Sequence, residues 1–468
     1  MDAFNVDINA VIFFEYLKSY QYPEDTQVQA EDKSIYINNE YIKAFITFNS
    51  NNIFEYIIEN SKTKENEFYL HFQFKTFDHA LSLFNEMIQT IISLKYRPTL
   101  RILLSCTGGL TTSYFAGNLN EKAAEQNLDY TFDAIGFTYL DEVASDYDVI
   151  LLAPQISYKH ANIQGTYKNK IVINIPPKVF AKYDASKMIS IIEETQTNFT
   201  KNKEQSVMFK GIEDANIEVL TFTIIRNSQR IHVTYRLFAK DSTVLEDEEI
   251  IKTTLSIQDI FDVVDLMLIK YPHIDVVVLA IPGIINDGKL MTSNIDGLEQ
   301  NTNLHHLFKQ RYTQKFCLIN DVNSIAVGYH ACQTKHHNIS VIFQPVSTQA
   351  GVGHIINDQL NIGYKSVSGE MQFQPLNLSD SRLVLNKTVK GTIELLSQEV
   401  ISIIASIAPE EIVVANALVQ DKDLIIDKVK ETIPEELLPK IKTIYYLEDY
   451  SLIGCYITAI NALKNTSH

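Results

Sequence analysis

The pattern of apolar and polar positions divides the chain of 468 residues into three blocks. In the first block, residues 1–98, apolar residues alternate with polar ones over Phe68–Phe74, which is typical of a half-buried β-strand. Apolar residues then recur at helical spacing from Phe77 to Ile91, with Thr76 at the N-cap position. These patterns predict a small α+β domain, and no chemistry is assigned to it.

The second block, residues 99–197, repeats a strand followed by a helix. Helical patterns separate four short runs of residues that favour β-strands, namely Arg101–Ser105, Tyr130–Ala134, Val149–Ala153 and Ile171–Ile175. This alternation predicts a four-stranded parallel sheet that is covered by helices on both faces. The polar residues 198–216 that follow are predicted to be a linker.

The third block, residues 217–468, opens with three strand-like runs at Ile217–Ile225, Ile231–Phe238 and Val244–Thr253. A helix then leads into the apolar strand Ile274–Ile281, and helices and strands alternate up to a final helix at Leu452–Leu463. This order is that of an actin-like or ribonuclease-H-like fold. The fold class predicted for the whole chain is therefore α/β multidomain.

Composition and charge limit the classes of function. The net charge of −17 argues against nucleic acid as a ligand, because binding to phosphate backbones needs clustered Lys and Arg. No run approaches the roughly 18–20 apolar residues of a membrane helix, and the acidic N-terminus lacks the pattern of a signal peptide. A cytoplasmic location is expected. No metal site is expected either, since the cysteines lie far apart, at Cys106, Cys317, Cys332 and Cys455.

The strongest chemical signal is the cysteine that ends the first strand of the second block. A predicted phosphate-binding loop follows Cys106 and consists of Thr107, Gly108, Gly109, Leu110, Thr111, Thr112 and Ser113. Backbone N–H groups at such a strand-to-helix turn bind anions, and their field favours the thiolate form of a cysteine. From this loop alone, a buried cysteine without function stays an open alternative.

Two motifs make the second block resemble the EIIB proteins of the lactose/cellobiose phosphotransferase family. Members carry Cys-x-x-Gly-x-Ser-Thr-Ser after the first strand, where this chain has Cys106-Thr-Gly-Gly109-Leu-Thr111-Thr112-Ser113. After the third strand members carry Gly-Pro-Gln and a nearby tyrosine, which match Pro154, Gln155 and Tyr158, with Ala153 in place of the glycine.

The resemblance implies that Cys106 accepts a phosphoryl group from a phosphohistidine on an EIIA protein and passes it on to a sugar, with a membrane EIIC as a further partner. The covalent phosphocysteine is then the sole prosthetic group. A tyrosine-phosphatase loop is disfavoured, because Thr112 stands where that chemistry needs an arginine. A Walker loop is excluded, because no Gly-Lys-Ser/Thr run is present.

The third block resembles the ROK family of bacterial sugar kinases and sugar-responsive repressors. The resemblance is carried by Ile281-Pro282-Gly283, Asn294, Asn320-Asp321-Val-Asn323, Gly351-Val-Gly353 and Ser368-Gly369-Glu370. It implies Asp321 as the base that accepts the proton of the attacking sugar hydroxyl, and Asn294, Asn320 and Glu370 as sugar-binding residues. Gly351 and Gly353 are expected in a turn on the phosphate side. Helix capping is the alternative role for Asp321.

The block departs from the family on its nucleotide side. Active members begin with Asp-x-Gly-Gly-Thr, but the corresponding run Val219–Arg226 has no acidic residue and no glycine. Ala415-Asn416-Ala417 replaces the glycines on the adenosine side, Gln372-Phe373 replaces Gly-His, and the cysteine-rich zinc loop is absent. These departures predict a sugar-binding or purely structural module without kinase activity. No helix-turn-helix pattern, as in ROK repressors, is evident near the N-terminus.

Three functions stay open from the sequence. The first is a phosphoryl carrier fused to an inactive ROK module that links sugar uptake to regulation. The second is an active ROK-type sugar kinase that uses ATP and Mg²⁺, with Asp321 as its base. The third is a regulatory interaction protein without catalysis. A homo-oligomer that forms through the ROK-like domain is compatible with each of them.

Overall fold

The structure is a computed structural model that describes most of the chain. The described residues are 3–61, 64, 66–94, 100–108, 110–126, 128, 130–144, 147–160, 163, 170–200, 207, 209, 216–226, 231–292, 300–333, 335–345, 349–386, 388–416, 419, 422–444 and 447–464. Within these ranges, no helix has the length and the apolar character that crossing a membrane requires.

The elements follow the predicted order of an antiparallel start and then alternating strands and helices. The helices are α1 (Ala3–Ser19), α2 (Phe77–Leu94), α3 (Leu110–Glu125), α4 (Leu140–Val143), α5 (Pro177–Lys182), α6 (Ala185–Thr200), α7 (Ile257–Lys270), α8 (Leu304–Arg311), α9 (Asp321–Cys332), α10 (Arg382–Leu385), α11 (Val389–Ser406), α12 (Lys422–Lys430) and α13 (Leu447–Lys464). The strands are β1 (Gln27–Ala30), β2 (Ser34–Asn38), β3 (Ile42–Asn49), β4 (Ile53–Asn60), β5 (Asn66–Gln73), β6 (Leu100–Cys106), β7 (Tyr130–Gly136), β8 (Val149–Leu152), β9 (Ile171–Asn174), β10 (Val219–Arg226), β11 (Ile231–Phe238), β12 (Val244–Lys252), β13 (Val276–Ile281), β14 (Ile285–Asn286), β15 (Lys289–Leu290), β16 (Thr302–Asn303), β17 (Lys315–Asn320), β18 (Ile339–Gln344), β19 (Gly351–Ile356), β20 (Gln359–Asn361), β21 (Glu411–Asn416) and β22 (Lys440–Thr443).

The chain folds into two compact units, and each unit combines stretches that are far apart in the sequence. The first unit contains Met1–Arg97, Lys210–Asp321 and Cys455–His468, and the second contains Pro98–Phe209 and Val322–Gly454. The boundaries predicted from the sequence, at residues 98, 197 and 216, stay predictions about separate domains.

The first unit is built around a ten-stranded sheet with the order β1-β2-β3-β4-β5-β12-β11-β10-β13-β17. Strands β10, β13 and β17 are parallel, and β10, β11 and β12 are antiparallel, as in an actin-like or ribonuclease-H-like fold. Tyr69 of β5 pairs with Ile251 of β12, so the strands of the N-terminal block continue the same sheet. The apolar alternation of β5 therefore faces a core that residues 217–321 share.

A buried lysine fastens the N-terminal block to the rest of this unit. Lys252 at the end of β12 is 4% exposed, and its ammonium lies 2.9 Å from Glu86 of α2 and 2.5 Å from Asp259 of α7. Asp259 also completes a capping box with Ser256 at the start of α7. Because a buried charge is stable only when it is paired, this triad fixes α2 against α7.

One layer of the second unit is a four-stranded parallel sheet with the order β7-β6-β8-β9. All four predicted strands of this block are confirmed within one or two residues at their ends. On one face, Ile102, Leu104 and Cys106 pack in a core that includes Phe115 of α3 and Met188 of α6. Helix α6 continues to Thr200, so the predicted linker, which begins at residue 198, starts inside a helix.

The other face of this sheet shares its core with the C-terminal part of the unit. Leu103, Ile150 and Leu152 belong to one apolar cluster with Leu140 of α4 and Leu396 of α11. Helices α4 and α11 are in direct contact. Both faces of this parallel sheet are therefore shielded from water, as its apolar strands require.

The C-terminal part of the second unit has a five-stranded sheet with the order β20-β19-β18-β21-β22. This order repeats the 3-2-1-4-5 arrangement of β12-β11-β10-β13-β17, so the predicted actin-like architecture is confirmed in both halves. The prediction that Gly351 and Gly353 form a turn is wrong, because both lie in strand β19. A Cβ atom at Gly353 would stand 2.6 Å from the Cβ of Ala326, so glycine permits the close approach of β19 and α9.

Candidate functional site

Cys106 occupies the last position of β6, directly before the loop that leads into α3. It is 5% exposed, and its Sγ lies 3.3 Å from the Oγ1 of Thr112, which is fully buried in the first turn of α3. Helix N-termini present unpaired N–H groups and a partial positive charge. A phosphoryl group on the sulfur would therefore meet donors at the start of α3.

The remaining residues of the predicted phosphate loop are mostly open to solvent. Thr107, Gly108, Thr111 and Ser113 are exposed, and a Cβ atom added to Gly108 would meet no other atom within 4 Å. Leu110 is the first residue of α3. Gly109 lies outside the described residues. The loop therefore leaves access for a second protein or a sugar while the sulfur itself is shielded.

The second predicted motif lies beside the cysteine loop, because β8 pairs directly with β6 and the two strands are parallel. Ala153 donates its N–H to the carbonyl of Ser105 over 2.9 Å, and Pro154 then opens a 3-10 helix that ends at Lys159. Gln155 is exposed, and Tyr158 is 77% exposed. The structure thus brings Cys106 and the Pro154–Tyr158 segment to the same edge of the sheet.

Two neighbours of this edge were not identified from the sequence. Phe137 follows Gly136, the residue of β7 that pairs with Cys106. The ammonium of Lys159 lies 5.0 Å from the centre of the Phe137 ring and 5.5 Å from that of Tyr158. The available signal was the position of Lys159 immediately after the tyrosine of the second motif, but only the strand order places it above the end of β7.

The residues of the predicted sugar site lie in both units. In the first unit, Asn320 ends β17, and its Nδ2 donates to the carbonyl of Gly283 over 2.9 Å. Gly283 has a φ of +118°, and a Cβ atom there would collide with the carbonyl oxygen of Thr292 at 2.1 Å. Asp321 begins α9, where it is half-buried. Asn294 lies outside the described residues.

Glu370 lies in the second unit, next to strand β19. It is half-buried, and burial raises the pKa of its carboxyl, while a hydrogen bond from the Nε2 of Gln372 to its Oε2, 3.0 Å long, acts in the opposite direction. Gly369 before it has a φ of +85° and approaches Val352 so closely that no side chain fits. The carboxyl is therefore held by a tight turn and an amide, and Phe373 beyond it is 65% exposed.

Comparison with known proteins finds a family match for each of two parts of the chain. Residues 101–190 match the family model of the PTS system, Lactose/Cellobiose specific IIB subunit, and residues 230–382 match that of the ROK family.

Solved structures that resemble parts of the chain include two ROK proteins. A ROK hexokinase from Thermus thermophilus is 14% identical, with a TM-score of 0.44 over 53% of this chain and 100% of its own. A ROK family protein from Streptococcus pneumoniae TIGR4 in complex with sucrose is 17% identical, with a TM-score of 0.41 over 53% of this chain and 100% of its own. The lactose-specific IIB component domain from Streptococcus pneumoniae is 20% identical, with a TM-score of 0.20 over 20% of this chain and 96% of its own. By the two family models, residues 101–190 resemble the lactose/cellobiose-specific IIB subunits of sugar phosphotransferase systems, and residues 230–382 resemble the ROK family.

Proposed function

We propose that Cys106 carries a phosphoryl group that it receives from a phosphohistidine on an EIIA protein. The observation that carries this proposal is the position of the Cys106 Sγ, at the carboxyl end of β6, before the N-terminus of α3 and 3.3 Å from Thr112 Oγ1. The second motif, Pro154–Tyr158, lies at the same edge and supplies exposed groups for a partner. Such a relay operates in the cytoplasm, and the proposal assigns the chain to that compartment.

The transfer balances without a further reagent. The Cys106 thiolate attacks the phosphorus of the phosphohistidine, the S–P bond forms as the N–P bond breaks, and the released imidazole takes up the proton that the thiol has lost. In the onward step a sugar hydroxyl attacks phosphorus, the O–P bond forms as the S–P bond breaks, and the Cys106 thiolate that leaves takes up the proton of the hydroxyl. Donors at the start of α3 stabilise the negative charge on the phosphoryl oxygens in both steps.

The test is a phosphotransfer assay with phosphoenolpyruvate, the general phosphotransferase proteins and a cellobiose-type EIIA. The wild type is expected to gain one phosphoryl group and Cys106→Ser none. Cys332→Ser, which alters a half-buried cysteine on α9, is the matched control and is expected to be labelled like the wild type. Absence of label on the wild type contradicts the carrier proposal.

For the ROK half we propose a sugar-binding module without kinase activity. Asn320, Asp321 and Glu370 are the sugar-binding candidates, together with Asn294 from the sequence motif. The absence of kinase activity is inferred from β10, where buried Phe222 and Ile224 stand in the run that carries Asp-x-Gly-Gly-Thr in active members. Bulky apolar side chains oppose a close approach of the backbone to a nucleotide phosphate.

The kinase question is settled by ADP release in the presence of ATP, Mg²⁺ and a panel of sugars. We expect sugar binding by titration calorimetry and no ADP above the background. ADP release that depends on a sugar and disappears in Asp321→Asn would establish the sugar kinase instead.

The two halves together favour regulation by sugar supply. Phosphorylation of Cys106 reports flux through the relay, and the ROK half reports the concentration of a sugar. If the two are linked, the affinity for sugar differs between the phosphorylated and unphosphorylated protein. Equal affinities remove the link and favour the third function, a passive interaction protein, which sedimentation of the chain with EIIA, with an EIIC and with itself then tests.

A further inference from the structure

The cysteine loop contains no positive charge of its own. From Cys106 to Ser113 the chain has no Lys, Arg or His. A phosphoryl group brings about −1.5 to −2 charges at neutral pH. The whole chain already has a net charge of −17. Within the loop, only neutral donors, from the backbone and from hydroxyl side chains such as that of Thr112, could hold this added charge.

Lys159 is a cation at the same edge of the sheet, and the described residues give it no carboxylate partner. Its Nζ lies over the rings of Phe137 and Tyr158, and among the described residues no carboxylate stands within 4.0 Å of it. Gly136, which precedes Phe137, pairs with Cys106, and a Cβ atom on it would lie 3.9 Å from the backbone of Gly108. Lys159 therefore lies over Phe137, the residue directly after the glycine that borders the cysteine loop.

The chemistry of this arrangement favours a mobile counter-charge. An ammonium that contacts a phosphoryl oxygen makes a charge-assisted hydrogen bond, which is stronger than the attraction of a cation to an aromatic ring. The lysine side chain has a flexible four-carbon stem, which lets the ammonium leave the rings by rotation about side-chain bonds. The Tyr158 ring, 77% exposed, offers little resistance to that movement.

We propose that Lys159 binds the phosphoryl group on Cys106 and leaves the Phe137 and Tyr158 rings when that group arrives. This inference rests on the proposed carrier function of Cys106. The second motif would then help to hold the phosphoryl group, through the lysine that directly follows Tyr158. Unphosphorylated protein keeps the ammonium on the two rings.

The experiment uses the full chain, phosphorylated through EIIA. Lys159→Met is compared with Lys159→Arg, which keeps the charge, and with Lys178→Met, which removes an exposed lysine from the first turn of α5 at the same edge of the sheet. The readouts are the equilibrium of the phosphoryl group between EIIA and Cys106, and the ³¹P chemical shift of the phosphothiolate as a function of pH.

We expect Lys159→Met to shift the equilibrium towards phosphorylated EIIA by about 10- to 100-fold, in line with the loss of one hydrogen bond between charged groups. The ³¹P titration midpoint should rise, since a neighbouring cation favours the dianion. Lys159→Arg should keep most of the wild-type equilibrium and of the wild-type ³¹P midpoint. Lys178→Met should behave like the wild type in both measurements.

Each outcome decides between the two claims. If the wild type takes up no label, the carrier function fails. If the wild type is labelled and Lys159→Met shows the same equilibrium and the same ³¹P midpoint, Lys159 has no part in holding the phosphoryl group. Equal losses in Lys159→Met and Lys178→Met also overturn the inference, because they reveal a general field and not a contact.

Discussion

Glu399 on α11 is a buried carboxyl group whose protonation should control the stability of the second unit. It is fully buried, and among the described residues neither of its oxygens has a hydrogen-bond partner. Burial raises the pKa of Glu399 to about 8, although the guanidinium of Arg382 acts in the opposite direction. The folded protein therefore keeps this carboxyl protonated at neutral pH.

The sign and the size of the effect follow from proton linkage. Between pH 4.5, the ordinary pKa, and about pH 8, the folded state holds a proton that the unfolded state has released, so the free energy of unfolding falls as the pH rises. A difference of 8 minus 4.5 at about 1.4 kcal/mol per unit sets an upper limit of about 5 kcal/mol. Relaxation around the charge lowers this, so about 2–5 kcal/mol is expected.

Glu399→Gln replaces the carboxyl by a neutral amide of the same shape, which removes this pH dependence. We expect the variant and the wild type to have similar free energies of unfolding at pH 5, and the variant to be more stable at pH 8.5 by about 2–5 kcal/mol. The measurement is urea unfolding at both pH values, followed by far-UV circular dichroism. Glu436→Gln, the same change at an exposed position of this unit, is the control and should give no difference that depends on pH.

Two results would refute this reasoning. One is a constant difference between Glu399→Gln and the wild type at pH 5 and pH 8.5, which would mean that the carboxyl titrates alike in the folded and unfolded states. The other is a wild type that gains stability from pH 5 to pH 8.5 relative to the variant, which would mean that the charged form has a partner in the core.

Two further changes test the packing and the surface electrostatics of the second unit. Gly353→Ala should lower the free energy of unfolding by about 1–3 kcal/mol, because its Cβ would stand 2.6 Å from a methyl group of α9. Gly117→Ala in α3 should raise the free energy of unfolding by about 0.5–1 kcal/mol, because its new methyl group has no packing neighbour within 4 Å. Both values are measured by urea unfolding, and equal effects of the two substitutions would contradict the close packing of β19 on α9. The Asp358 carboxylate, 2.8 Å from the Nδ1 of His337, raises the pKa of that histidine. An NMR titration should find the midpoint of His337 above its ordinary value in the wild type and closer to that value in Asp358→Asn. The stabilisation by this pair is present below the pKa of the unfolded state and is lost as the pH rises through the pKa of the folded state. An unchanged midpoint in Asp358→Asn would contradict the pairing.

Local patterns in the sequence predicted most of the fold and the position of Cys106 at the end of a strand. The runs of Val, Ile and Leu in residues 99–197 predict buried parallel strands, and a strand that ends at Cys106 before a glycine-rich turn predicts an anion site at that edge. Both signals arise within ten or so residues, so no knowledge of distant contacts is needed.

The missed features depend on pairings between distant positions. The N-terminal strands join the rest of the ten-stranded sheet through the pairing of Tyr69 in β5 with Ile251 in β12. Apolar alternation along a strand does not specify which strand it pairs with. Gly353 was misplaced because a glycine pattern is shared by turns and by strands that a helix approaches closely. Lys159 was missed because its contact with Phe137 follows from the order β7-β6-β8, which the sequence does not state.

The core that the IIB sheet shares with α11 has a practical meaning for dissecting the chain. A fragment that ends near residue 197 would leave Leu103, Ile150 and Leu152 without the side chains of α11 that complete their cluster. Each fully buried residue of this kind contributes about 1.5–3 kcal/mol, so the fragment would carry an adhesive surface that favours aggregation. The biochemistry of residues 101–190 is therefore best measured on the intact chain.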